Sequence, residues 1–598
     1  MPHSARPVNS SSPALLLGRR SFLAATMATA TGVLAGCGFS DDGGNDATTA
    51  PDQDADPQRT GTLRQSMLPV AALDPAVNGN SSFGQIMMIG LWEGLVAIDA
   101  DQPDQVVPGA AESWTVSEDG LVYTFTIRAD AVWSNGDPVT ANDFEWNWKR
   151  ILTPGIAGEG SPSYVHTVVG VQGADAYMAG VTEDFATVGA KAVDDSTFEL
   201  TLVHSNADLL VHLAGFWALP LHPATVEELG DAWLVPEGWV SNGPFLLDSF
   251  RVNQGAVLVP NDTYWDKDSY FLERWEVTFN DGGTTADLLA FQQGEIDITG
   301  RIEDNLEAVT ASDVADQLVS SPTNQVRRLV VMNSEHPALH DVRVRQALAL
   351  AIDRDALAGI AEPAVAGTSL LPSAVPGGDE VPGISFDVDQ AKELLSEAGY
   401  PDGVGMPTIQ LLDFQASPWV EAIGQMWRDN IGVTATLDVV EVGVYSSKRA
   451  LVHPADYTGF YVQNGAINPP TMLAAVQGIF PTAPQIYGAN LIPAAEAAQV
   501  LASIESEAPL AEQMAIIDGS RPAELQQTSE LVAAALTETD VDKQRDMLTE
   551  AATAWVDAFA MIPVLWGGYN LLVKPHVENL RPWYYGTVFT TKGVTITS

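Results

Sequence analysis

The sequence predicts an α/β fold, because segments with the two-residue period of strands alternate along the chain with capped segments of helical period. At 46% hydrophobic, the chain also has the apolar material to cover sheets with helices. In order, Val122–Arg128 alternates apolar and polar side chains after Asp119-Gly120 and reads as a strand leaving a tight turn. Ser196–Leu202 alternates likewise after Asp194-Asp195. Asp341 stands as N-cap before Val342–Ile352, whose Val344, Leu348, Ala351 and Ile352 share one helical face. A second helix is expected over Asp389–Ala398, closed by Gly399, and a third over Glu421–Asn430, ending near Gly432 and feeding the strand Val433–Val439. A long helix is expected from Asp540 through Ala560, before Ile562-Pro563.

The length of 598 residues suggests about two to four domains. There are 77 acidic and only 28 basic residues, a net charge of −49, yet the charged fraction is 18%, below the roughly 25% usual for globular proteins. The imbalance is therefore a shortage of bases. Such a field repels phosphate backbones and excludes nucleic-acid binding. Fifteen Trp, 13 Tyr and 19 Phe exclude global disorder, and a single cysteine excludes an intramolecular disulfide. No repeat supports a solenoid or propeller.

The first 36 residues read as an export signal: Arg6, Arg19 and Arg20 with no acid, an uncharged run from Phe22 to Leu34, then Leu34-Ala35-Gly36-Cys37. Arg19-Arg20 before Ser21-Phe22-Leu23 is similar to a twin-arginine signal, and Leu-Ala-Gly-Cys resembles the bacterial lipobox, which implies lipidation at Cys37. Residues 37–61 follow as an acidic flexible linker. From Ser40 to Gly61 there is no large apolar residue, and six Asp face one Arg. No later segment has the roughly 18 apolar residues that a membrane-spanning helix needs; Met561–Val573 is interrupted by Gly567-Gly568.

Catalytic motifs are missing: there is no phosphate loop, no G-x-S-x-G elbow, no H-E-x-x-H and no paired C-x-x-C. His336 and His340 are four apart, but Pro337 puts them in a loop, so they are not read as metal ligands. Glu118-Asp119 and Asp194-Asp195 abut turns and read as turn chemistry. Neither an enzyme activity nor a cofactor or metal is expected.

What the body carries instead is an ordered series of segments: Leu91-Trp-Glu-Gly-Leu95, Pro108–Trp114, Ser117–Gly120, Trp133, Gly136-Asp-Pro138, Gly173–Tyr177, Val193–Thr197, Ser241-Asn-Gly-Pro-Phe245, Asn261–Trp265, Phe291–Asp297, Asp341–Ala347, Ala351–Arg354 and Glu397–Tyr400. Together they resemble the signature of the peptide/nickel-type (family 5) extracellular solute-binding proteins of ABC transporters, over nearly everything from about residue 62. Trp114, Trp133 and Trp265 read as core anchors, so the signature speaks for fold rather than ligand.

The resemblance implies a two-lobed periplasmic-binding-protein-like fold (type II, large cluster) with an additional inserted domain. Lobe I would comprise 62–92, 238–330 and 563–598, the inserted domain 93–237, and lobe II 331–562. It implies a ligand cleft between lobes that close by hinge motion, a monomer anchored on the outer face of the cytoplasmic membrane, and delivery to ABC permease subunits. In peptide-binding members an aspartate after a Gly-Trp pair holds the α-amino group; the matching stretch here is Gly459–Asn464, with Phe460 in place of Trp and Gln463 near the place of Asp. A neutral amide cannot balance an ammonium as a carboxylate does. The resulting ligand candidates are Phe460, Tyr461, Gln463 and Asn464, joined by Phe414, Gln415 and Trp419 from the loop Phe414–Trp419. The expected cargo is an oligopeptide or a similar polar organic solute; a ligand-sensing lipoprotein without transport and an exported hydrolase are the other readings.

Overall fold

Alternation along Val122–Ile127 and Thr197–Thr201 puts Tyr123, Phe125, Phe198 and Leu200 on one buried face. In the computed structural model these strands pair antiparallel with Phe125 opposite Phe198, and the helix Ala141–Leu152 covers that face, its Phe144 ring 6.0 Å from Phe198. The structure describes residues 59–597 apart from short internal stretches, the longer of which are 157–168, 449–458, 478–490 and 503–514. Cys37, the export signal and nearly all of the acidic linker lie outside the described residues. Those described belong to one compact unit, Asp56–Ser598.

Three larger sheets organise this unit. The first has the order Ala111–Val116, Val122–Ile127, Thr197–Thr201, Ala190–Asp194, and is wholly antiparallel. The second has the order Thr62–Met67, Arg274–Phe279, Gly255–Pro260, Phe245–Arg251, with the first pair parallel. One hydrophobic core runs through both and includes Leu63, Trp92, Trp133, Trp148 and Trp275. The third sheet has six strands in the order Val365–Ala366, Met561–Gly567, Gln325–Val331, Gly459–Ala466, Ile409–Asp413, Ala435–Val439. It has its own core, with Leu329, Leu348, Trp427, Phe460 and Trp555. This sheet takes in Gln325–Val331 and Met561–Gly567, most of whose residues the boundaries implied by the resemblance place with lobe I.

The helices start and stop where their end residues direct. The Asp341 carboxylate accepts from Arg343 N at 2.9 Å to open Val342–Leu350, and Asp387 accepts from Gln390 N at 2.9 Å to open Val388–Glu397. Gly399 (φ 94°) and Gly432 (φ 70°) take the left-handed conformation just past Val388–Glu397 and Pro418–Ile431. The long helix differs from expectation: it spans Val541–Asp557 and stops short of Ala560. Phe559 adopts φ 47°, a reversal that turns the chain into the strand beginning at Met561. Turn acids behave as read: Asp119 accepts from Ser117 Oγ at 2.6 Å and Asp194 from Ser196 N at 2.9 Å, both on exposed turns. No helix among the described residues is long and apolar enough to cross a membrane.

Among the described residues the chain passes into the six-stranded sheet once and returns once, and the two passages lie side by side. Leu318–Ser320 pairs antiparallel with Asn570–Leu572, and the same two segments continue as Gln325–Val331 paired with Met561–Gly567. On the near side the pair is fastened by Thr299, whose Oγ1 accepts from Leu572 N at 2.9 Å, and by Ile298, which bridges both Gln65 and Val573. Between the two ladders Ser321 N donates to Tyr569 O at 2.8 Å and Tyr569 N donates to Ser321 Oγ at 2.8 Å. This two-stranded ribbon connects the two cores.

Trp427 anchors the core beside it. Its ring is fully buried 5.9 Å from Phe460, and Nε1 donates to Leu348 O at 2.8 Å. Trp427→Ala is expected to cost ~3–5 kcal/mol by cavity formation, read as a shifted denaturant midpoint; a loss under ~1 kcal/mol would show that this side chain does not hold the core.

Candidate functional site

The strand Gln325–Val331 enters the six-stranded sheet directly from the ribbon, so its first residues lie at the sheet edge nearest the other lobe. Gly459–Ala466 runs antiparallel to it, and Ile409–Asp413 and Ala435–Val439 run parallel to Gly459–Ala466. The carboxyl ends of those three strands therefore gather at the same ribbon-side edge. In open α/β sheets, ligands bind outside the carboxyl ends of strands.

Opposed residues share a face of the sheet. Arg328 stands opposite Gln463, Val330 opposite Tyr461, and Val326 opposite both Gly465 and Trp566. That face thus carries Trp566, Arg328, Gln463 and Tyr461 in sequence, with Gly465 among them. Among the described residues nothing lies within 4 Å of where a Gly465 Cβ would stand, nor of where a Gly567 Cβ would. The edge is open at this point.

The structure divides the residues that the sequence put forward. Gln463 is half-buried, Asn464 is exposed, and Phe414 is 38% exposed just past the strand Ile409–Asp413. Tyr461 is fully buried, with its ring 6.3 Å from Tyr445, whose ring lies 5.2 Å from Phe414. An aromatic row therefore backs Gln463. Phe460 and Trp419 are 0% and 4% exposed within the core, so neither offers surface to a ligand. The reason for Phe460 is strand period: three residues from Gln463, it points to the opposite face, against Trp427. Gln415 lies outside the described residues.

Sequence reasoning missed Arg328. It is 7% exposed, and its Nε donates to Gln463 Oε1 at 2.6 Å. Burial pulls its pKa down to about 10. The signal was available: Arg327-Arg328 interrupts an apolar strand in a chain with only 28 bases. No cluster of three or more His, Cys, Asp or Glu fit to hold a metal occurs among the described residues. His336 Nδ1 accepts from Ala338 N and Leu339 N at 3.3 Å each, which makes it a turn residue.

The signature segments converge elsewhere. Glu93 accepts from Trp265 Nε1 at 2.7 Å and from the Tyr264 hydroxyl, while its backbone exchanges hydrogen bonds of 3.0 Å with the Asn242 side chain. Asn261 Nδ2 donates to Gly243 O at 2.8 Å, and Arg128 lies 3.2 Å above the Trp265 ring centre. Trp-Glu-Gly, Ser-Asn-Gly-Pro and Asn-Asp-Thr-Tyr-Trp are thus one structural knot. A cavity of about 600 Å³ opens beside it, lined by Trp92, Glu93, Arg128 and Trp265 among others, and none of the sheet-edge residues lines it. Its charges are largely matched internally: Lys592 pairs with Asp266 and Arg581 with Asp101, both at 2.7 Å. The sheet edge, where Arg328 has no such match, is the better candidate for the ligand.

The sequence profile of bacterial extracellular solute-binding proteins, family 5 Middle, matches residues 105–480. The chain belongs to that family. It is 31% identical over 445 residues to the oligopeptide-binding protein OppA of Bacillus subtilis, covering 71% of this chain and 78% of the relative. It is 31% identical over 393 residues to the probable deoxycholate-binding periplasmic protein YgiS of Escherichia coli, covering 63% and 70%. Among solved structures, the unliganded open form of the periplasmic murein tripeptide binding protein MppA superposes with a TM-score of 0.70 at 23% identity, covering 90% of this chain and 97% of that one. The fold is therefore the two-lobed α/β architecture of family 5 solute-binding proteins.

Burial raises the Glu93 carboxyl from its ordinary 4.5 to about 7, against the opposing hydrogen bonds from Tyr264 and Trp265. The folded state thus favours protonated Glu93. Its contribution to stability is complete below pH 4.5 and is lost as pH rises through about 7. Glu93→Gln keeps a neutral side chain there, so its unfolding free energy is expected to vary less than wild type across that window. Parallel pH profiles of the two proteins would contradict the assignment.

Proposed function

We propose that this chain is the extracytoplasmic receptor of an ABC importer, tethered through lipidated Cys37, which captures an oligopeptide or a similar polar organic solute between its lobes and presents it to permease subunits. Lobe I carries the four-stranded sheet containing Thr62–Met67, and the inserted domain carries the one containing Val122–Ile127. Lobe II carries the six-stranded sheet, and the exported protein works as a monomer. One observation carries the reading: the open edge at Gly465, flanked by Trp566, Arg328 and Gln463, lies at the mouth of the two-stranded ribbon. A ligand seated there can be covered by rotation about Ser320–Ser321 and Tyr569–Asn570 without breaking either core.

Relatives support the class of cargo. OppA is named for oligopeptides and MppA for a murein tripeptide, whereas YgiS is named as a probable deoxycholate-binding protein, which is why the proposal includes a similar polar organic solute beside an oligopeptide. Phe414 and Gln463 are proposed to meet the ligand, with Tyr461 and Tyr445 behind them, whereas Asn464, next to Gln463 in the strand, faces the other side of the sheet.

Native mass spectrometry of the purified chain is expected to release a bound small molecule or a set of short peptides on mild activation. Gly465→Leu fills the open edge, and the variant is expected to retain its melting temperature while losing the cargo. An empty wild-type protein whose melting temperature also does not respond to short peptides would contradict the receptor reading.

A further inference from the structure

Among the described residues, the guanidinium groups of Arg328, Arg345 and Arg354 are buried in or beside the six-stranded sheet, and they are satisfied very differently. Arg345 gives its nitrogens to the carbonyl oxygens of Ala558, Leu339 and His340 at 2.7–3.1 Å. Arg354 donates to those of Pro563, Ala349 and Ile352 at 2.9–3.2 Å. Both are structural clamps. Arg328, 7% exposed, has one hydrogen bond among the described residues, from Nε to Gln463, and no carboxylate pairs with it there. Both of its Nη groups are left over. One Arg354 nitrogen is sealed in without a partner, but no Arg328 nitrogen is sealed in this way, so its spare donors reach accessible space.

The Gln463 amide is oriented by the same contact. A guanidinium has only donors, so the amide must turn its oxygen toward Arg328 and its NH₂ away. That NH₂ has no partner among the described residues. The corner therefore presents unused donors, two Nη groups and one amide, around one buried positive charge, with the Tyr461 hydroxyl on the same face able to donate or accept. A buried cation without a counter-ion is costly, and the group that relieves it is a planar anionic acceptor. An ammonium here would meet like charge at the guanidinium and only donors from Arg328 and Gln463. The net charge of −49 does not oppose an anion at this range, because salt screens it beyond ~10 Å.

We propose that Arg328 and Gln463 form an anion-receiving corner that holds a carboxylate of the solute, so that the ligand is recognised by an acidic group and not by a free amine. The inference rests on the receptor reading above and narrows it. Deleting the guanidinium removes a buried charge rather than a packing contact, so Arg328→Gln and Arg328→Met are expected to melt at or above the wild-type temperature.

The test uses three probes titrated into the full chain by calorimetry: trialanine, with both termini charged; Nα-acetyl-trialanine, with a carboxylate and no ammonium; and trialanine amide, with an ammonium and no carboxylate. The two carboxylates are expected to bind alike and the amide at least ~10-fold more weakly, the usual worth of a charged hydrogen bond. Arg328→Gln is expected to bring that gap below ~3-fold, and Arg328→Lys to restore part of it. An amide that binds as tightly as the acids, or discrimination that survives in Arg328→Gln, overturns the inference and leaves the receptor reading intact. Silence from all three probes overturns the oligopeptide reading and the inference together.

Discussion

Everything that this fold can do mechanically depends on a two-stranded ribbon. Leu318–Val331 and Met561–Leu572 are the passages between the two bodies of the protein, and they are hydrogen-bonded to each other on both sides of the crossing. Each body has its own core, built around Trp133 and Trp275 on one side and Trp427 and Trp555 on the other. The proposed closure would rotate the bodies about the ribbon with both cores left intact. Smaller contacts also link the bodies, such as Ser205 Oγ to Leu536 O at 3.0 Å and Asp208 with Thr471. Asp208 is raised to about 6 by burial, so that second contact involves a carboxyl close to neutral under mildly acidic conditions.

The shortage of bases sharpens the reading of those that remain. With 28 basic residues against 77 acids, a buried arginine is a strong statement about local structure. Arg345 and Arg354 staple carbonyls at the ends of helices and strands. Arg128 spreads over Trp265 and so closes the knot around Glu93. Arg328 is the one with donors to spare among the described residues, which is what the proposed anion-receiving corner accounts for.

Much of the architecture was legible because local rules and tertiary packing agree. Asp341 caps its helix, Gly399 and Gly432 close theirs, and Asp119 and Asp194 hold turns as their positions suggested. The long helix ended early because Phe559 reverses the chain, a demand set by the adjoining strand rather than by propensity. The candidate site was legible as a stretch of chain but not residue by residue. Strand period separates Phe460 from Gln463, so the motif that pointed to both could be right only for one face. Arg328 was passed over because it is 135 residues from Gln463 and becomes its neighbour only through the pairing of two antiparallel strands. Trp419 follows Pro418 at a helix start, where its ring turns into the core.

The central claim is that cargo is held between bodies that close about the ribbon. Small-angle X-ray scattering of the purified chain, with its released and re-added cargo, tests it most directly. A decrease in radius of gyration on adding cargo, lost in Gly465→Leu, is the predicted result. An unchanged scattering curve at saturating cargo would contradict it.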